Sequence, residues 1–170
     1  NNGLSWGAGV SVTTNSADKN LANTDEAPTS AYYGRSYVVW SNWTSTPPIV
    51  ISFTDNSGQT WSAMAQINTP PSGHYSQGCD IVVNNSGVVY VTWAAPILGS
   101  PYTEDYFGFA KSANGGVAWT VTENAFDGNG IRGTLTNKNA LRVNSFPRID
   151  VDKTTGTYAG RIYIVTSQIN

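Results

Sequence analysis

The side chains best suited to chemistry in this chain are three arginines, a few aromatics and a small number of carboxylates. Arg132, Arg142 and Arg148 all fall in the C-terminal third. A guanidinium offers forked donors that match a carboxylate, so arginines gathered in space would suit an acidic ligand. Trp43, Tyr75 and Tyr102 offer flat faces on which a sugar ring could lie. Glu104 and Asp105 form a carboxylate pair, but neighbours in a strand point to opposite faces, which disfavours a joint acid–base role. The same objection applies to Asp25 and Glu26. His74 is the sole histidine and lies in a loop punctuated by Pro and Gly. Arg132 sits in Gly128-Asn129-Gly130-Ile131-Arg132-Gly133, a run that allows close backbone approach. It is no phosphate loop, since no strand leads into it and no helix or Lys follows. For His74 and Arg132 the plainer alternative is a solvated loop residue.

Composition narrows the field. Only 12% of the 170 residues are charged and the net charge is -2, with no basic run to suit nucleic acid or an anionic membrane surface. Abundant Gly, Ser, Thr, Asn and aromatics favour an all-β, extracellular-style protein. The single Cys79 excludes an intrachain disulfide and reads as a small buried hydrophobe at a strand start. No stretch nears the ~20 apolar residues of a transmembrane helix. Asp127, Asp150 and Asp152 are the only residues that suggest calcium. They lack a further spaced carboxylate, and no cofactor is expected. Asn42-Trp43-Thr44 and Asn84-Asn85-Ser86 match the glycosylation sequon, which matters only in a eukaryotic secretory host.

The elements that must position these residues follow a repeat. Thr54-Asp55-Asn56-Ser57-Gly58-Gln59-Thr60-Trp61 recurs as Ser112-Ala113-Asn114-Gly115-Gly116-Val117-Ala118-Trp119, and its last six positions open the chain as Asn1-Asn2-Gly3-Leu4-Ser5-Trp6. The glycine suits a turn needing positive φ, the Asn can bond its own backbone, and the Trp is an apolar plug. Trp6 and Trp61 are 55 residues apart, and Trp61 and Trp119 are 58 apart. Such a period implies one supersecondary unit per repeat. Tyr37-Val38-Val39-Trp40, Tyr90-Val91-Thr92-Trp93 and Tyr163-Ile164-Val165-Thr166 recur in phase, each after an apolar stretch. No segment has helical periodicity.

The octapeptide resembles the Asp-box, or BNR repeat, of sialidase-like β-propellers. Asn1, Asn56 and Asn114 stand where that family usually has Asp, and Asn can cap the same turn without charge. The resemblance implies a β-propeller segment of about three four-stranded antiparallel blades, an incomplete ring, since closure takes ~4–8 blades. One strand of a preceding blade is expected within 1–13. A blade is expected over 27–68, with strands near 27–33, 35–42, 48–54 and 60–68. A second is expected over 79–124, with strands near 79–84, 88–95, 105–112 and 118–124, and the first hairpin of a third over 146–168. Structural box residues are Asn1, Gly3, Trp6, Thr54, Asn56, Gly58, Trp61, Ser112, Asn114, Gly116 and Trp119.

Propeller geometry would put the boxes on one face with Gly34, Asn85 and Thr154. The other face would gather loops 14–26, 43–48, 69–78, 95–104 and 124–145. That face would carry Asp25, Glu26, Trp43, His74, Tyr75, Tyr102, Glu104, Asp105, Arg132 and Arg142, with Arg148 starting an inner strand. Sialidases hold the substrate carboxylate with three Arg and use a Tyr nucleophile with a supporting Glu and an Asp acid. On that pattern Arg132, Arg148, Glu104, Asp105 and Tyr102 are the catalytic candidates. Trp43, His74, Tyr75 and Arg142 are the ligand-binding ones. The family's Phe-Arg-Ile-Pro signature is absent; Phe146-Pro147-Arg148-Ile149 holds the same residues in another order. The expected function is a secreted or cell-surface, bacterial propeller that binds or hydrolyses glycans, with glycans or glycoproteins and its own remaining blades as partners. The alternative is a non-catalytic scaffold or protein-binding module of a larger surface protein.

Overall fold

Period-two alternation of apolar residues shapes the strands. The computed structural model describes residues 4, 5 and 7–169, so the expectations placed on Asn1, Gly3 and Trp6 lie outside the described residues. The chain is all-β, with no α-helix among the described residues. Strands β1 (Ala17–Thr24), β2 (Ser36–Asn42), β3 (Ile49–Thr54) and β4 (Ala65–Gln66) form an antiparallel sheet in chain order. Strands β5 (Gln77–Val83), β6 (Val89–Pro96), β7 (Glu104–Ser112) and β8 (Thr120–Asp127) repeat it. A short hairpin follows, β9 (Gly133–Leu135) and β10 (Leu141–Val143), around a 3-10 turn at Thr136–Lys138. A second pair, β11 (Arg148–Val151) and β12 (Ile162–Val165), is also antiparallel.

The sheets stack in layers. Tyr37, Val39, Ile49 and Ile51 of the first sheet meet Ile81, Val83, Val89, Val91 and Trp93 of the second. The opposite face of the second sheet places Val82, Tyr90 and Phe109 against Ile149, Val151, Ile162 and Ile164. The second sheet is thus covered on both sides, which explains the unbroken apolar run from Ile81 to Val83. Each large side chain buried this way contributes roughly 1.5–3 kcal/mol. Trp93 pairs with Gly108, where a Cβ would meet the indole at 2.1 Å, so only glycine lets the ring lie across β7. Trp40 and Trp93 are buried, as is Cys79, whose thiol burial pushes well above its usual range. The first strands of successive layers are neighbours, β1 against β5 and β5 against β11.

The two described boxes share one hydrogen-bond scheme. Asn56 Oδ1 accepts from the Thr54 hydroxyl (2.9 Å) and Thr60 N (2.9 Å), while Gly58 N donates to Thr54 Oγ1 (3.0 Å). Asn114 Oδ1 accepts from the Ser112 hydroxyl (2.9 Å) and Ala118 N (2.8 Å), while Gly116 N donates to Ser112 Oγ (3.0 Å). Trp119 packs on the core between the sheets, and Trp61 sits half-buried beside Gly58. At the same end Arg35 donates to Asp55 Oδ1 (2.7 Å) and to the Gly115 carbonyl (2.8 Å), joining the first sheet to the second box. Asn85 likewise donates to the Lys153 carbonyl (2.6 Å), joining the second sheet to the β11–β12 turn.

Several expected boundaries are corrected. The described residues of 1–13 hold no strand. The first sheet begins at Ala17, inside what reads as a polar loop over 14–26, and the expected strand at 27–33 is a turn. Only Leu21 of β1 packs on the core, so its sequence carries no alternation; pairing with β2 makes it a strand. The fourth strand, expected over 60–68, shrinks to Ala65–Gln66. Ser62 lies outside it, bonded to Phe53 through its own hydroxyl (3.0 Å). The second sheet spans 77–127 rather than 79–124, and part of the expected loop 124–145 is the β9–β10 hairpin.

Candidate functional site

The first strands of the two large sheets share an irregularity. In β1 the register breaks between Asp18 and Leu21, with Lys19 at φ 54°. In β5 it breaks between Gln77 and Asp80, with Gly78 at φ 68°. Bulges of this kind re-aim side chains next to sites. Here they bring Asp18 and Gln77 together, with the Gln77 amide donating to Asp18 Oδ2. Around them opens a cleft of about 820 Å³, walled by Trp43, Tyr102 and Phe146 and lined by Asp18, Lys19, Arg132 and Arg142. A smaller cleft of about 280 Å³ adjoins it, sharing Trp43, Tyr102 and Arg132 and adding Tyr75 and Leu98.

Arg132 is the hub. Its Nη1 donates to Gln77 Oε1 (2.7 Å) and lies 3.9 Å from Glu104 Oε1, and its guanidinium lies 5.7 Å from the centre of the Tyr75 ring and 5.9 Å from that of Phe146. Glu104 is fully buried behind it, and neither carboxylate oxygen accepts a hydrogen bond. Burial pushes its carboxyl above the usual range. The Glu104 and Ser145 amides and Arg132 pull the other way, but the amides fall short of bonding geometry. The glycine run fits over this carboxylate. Gly130 N donates to the Glu104 carbonyl (2.9 Å), and a Cβ at Gly130 would lie 2.5 Å from that of Glu104. Burial also raises the Tyr75 phenol, with Arg132 opposing.

Of the residues singled out in the sequence, Trp43, Tyr102, Arg132 and Arg142 come together in the large cleft, Tyr75 lines the small one, and Glu104 lies beneath Arg132. Glu104 is buried and Asp105 exposed, on opposite faces of β7. His74 and Asp105 form a separate pair at 2.9 Å, outside both clefts. The other ring nitrogen of His74 faces the Ser72 carbonyl at 3.2 Å. Arg148 is exposed, 4.0 Å from Asp80 Oδ2, and lines neither cleft.

Asp25 and Glu26 do not belong to this face. Asp25 is buried at the box end, accepting from Ala27 N (2.9 Å) and the Ser30 hydroxyl (2.6 Å), and Glu26 pairs with Lys153 at 3.7 Å. The reason is the offset of β1: with the strand at Ala17–Thr24, residues 25–35 become the first turn and change ends. Asp127, Asp150 and Asp152 are not gathered. Asp127 ends β8 beside Tyr106, whereas Asp152 opens the turn at the box end. No group of three His, Cys, Asp or Glu among the described residues could hold a metal ion.

Asp18, Lys19 and Gln77 were not singled out in the sequence. No repeat spacing marks them: Asp18 lies 22 residues before Trp40 whereas Gln77 lies 16 before Trp93, and only the matching register breaks bring the two into correspondence. No protein-family model matches the chain, and no curated protein does.

Proposed function

We propose that this chain is a segment of a sialidase-like β-propeller, secreted or displayed at a cell surface, whose cleft binds an acidic glycan. One observation carries the reading: the large cleft sets Lys19, Arg132 and Arg142 against the single carboxylate Asp18, in a chain whose net charge is -2. Focused positive potential in a concave, aromatic-walled site attracts an anionic ligand. Burial works against ionisation of Glu104, the carboxylate that lies behind Arg132. The matched box turns, the in-order four-stranded sheets and the adjacent first strands support the blade arrangement. Tyr163 and Val165 are exposed on the outer face of β12, and on this reading a further blade covers them.

Titration calorimetry of the chain with sialosides tests the reading, with neutral glycans as controls. Binding should be selective for the acidic sugars, and Arg142→Ala should weaken it about tenfold, the worth of one charge-assisted contact. Equal binding of neutral glycans, or no effect of Arg142→Ala, would remove the acidic-glycan assignment. Release of a reporter group from a sialoside would add hydrolysis to binding.

A further inference from the structure

We infer that the β9–β10 hairpin is a flap that closes over the large cleft and carries Arg142 onto an acidic ligand; this rests on the glycan reading above. The hairpin is three residue pairs long, and its strands pair only with each other. None of residues 133–143 is buried, and Leu141, near the tip, is 57% exposed. Among the described residues no hydrogen bond or ion pair joins residues 133–143 to the rest of the chain. An unsupported two-stranded hairpin is marginal in water, and a segment with so few buried contacts opens well below the energy of global unfolding. Ala140, at φ 59°, adds backbone strain at the tip.

The base of the hairpin is fixed, which gives the motion defined hinges. Buried Ser145 accepts from Ile131 N through its hydroxyl and from the Thr166 hydroxyl through its carbonyl. Arg132 is held by Gln77. Just past these anchors lie Gly133, at φ 107°, and the exposed Asn144. A glycine in open space, with nothing within 4 Å of an added Cβ, absorbs large backbone rotations. Beyond the hinges the hairpin gives Arg142 and Val143 to the cleft wall. Arg142 makes no ion pair or ring contact among the described residues, so an entering anion supplies its partner. A ligand that binds the closed form alone shifts the flap toward it.

Hydrogen exchange read by mass spectrometry and limited trypsin digestion test this on the intact chain, with and without methyl sialoside. Without the sugar, amides of residues 133–143 should exchange on the order of a hundredfold faster than those of β5 to β7, and trypsin should cut after the exposed Lys138. At free sugar ten times its Kd both rates should fall about tenfold, since only the closed form binds. Cleavage after Lys153, in the β11–β12 turn at the opposite end, should not change. Arg142→Ala, at ten times its own Kd, should leave both rates high. Slow exchange in the sugar-free hairpin, sugar binding without slowing at residues 133–143, or full slowing in Arg142→Ala would each overturn the flap. Absence of methyl sialoside binding by calorimetry would overturn the glycan reading itself, and the closure with it.

Discussion

Glu104 and Arg132 show how one side chain's surroundings set another's role. A carboxylate with no hydrogen bond, sealed under a glycine loop, is costly to ionise, and the nearby guanidinium offsets only part of that cost. An acid whose folded pKa is raised favours the folded state while protonated. That contribution is complete below the ordinary value, 4.5 for glutamate, and is lost as pH rises through the raised one. Glu104→Gln stays neutral throughout. It should match the parent near pH 4 and exceed it at neutral pH by on the order of 1 kcal/mol, measured by urea unfolding across that range. A gap that does not change with pH would show that ionisation at this site does not limit stability.

At the scale of the element, the box is a self-contained turn. In each described copy a side-chain amide oxygen and a hydroxyl tie together backbone groups that would otherwise face water. Asn114→Ala removes both bonds to Oδ1 and should cost about 1–2 kcal/mol, read as a lower urea midpoint with unchanged slope. Asn56→Asp keeps the acceptor but loses the Nδ2 donor to Thr60 Oγ1 (2.8 Å), and should cost about half as much. A loss at Asn56→Asp as large as that at Asn114→Ala would show that in the Asn56 turn the amide donor matters as much as the acceptor.

For the whole molecule, stability rests on layers pressed face to face. Trp93 is fully buried in the core shared by the two large sheets. Trp93→Ala should therefore cost about 3–5 kcal/mol and loosen both sheets together, in a single transition seen by far- and near-ultraviolet circular dichroism. Two separate transitions would show that each sheet is stable alone. The same stacking makes the site: Asp18 from one sheet meets Gln77 from the next only because their first strands are neighbours.

The sequence by itself was enough for the all-β class, the second four-stranded sheet, β2 and β3 of the first, the closing pair and the two described box turns, because alternation, glycine and asparagine act over a few residues. It also pointed to Trp43, Tyr102, Arg132 and Arg142, since aromatic and arginine side chains in long loops have few structural uses. Tertiary pairing alone decided that the polar Ala17–Thr24 is a strand, which moved Asp25 and Glu26 to the opposite end. It alone sealed Glu104 beneath Arg132 and re-aimed Asp18, Lys19 and Gln77 through matching bulges. Those outcomes depend on contacts between residues 12 to 127 positions apart, and no local pattern of side chains encodes them.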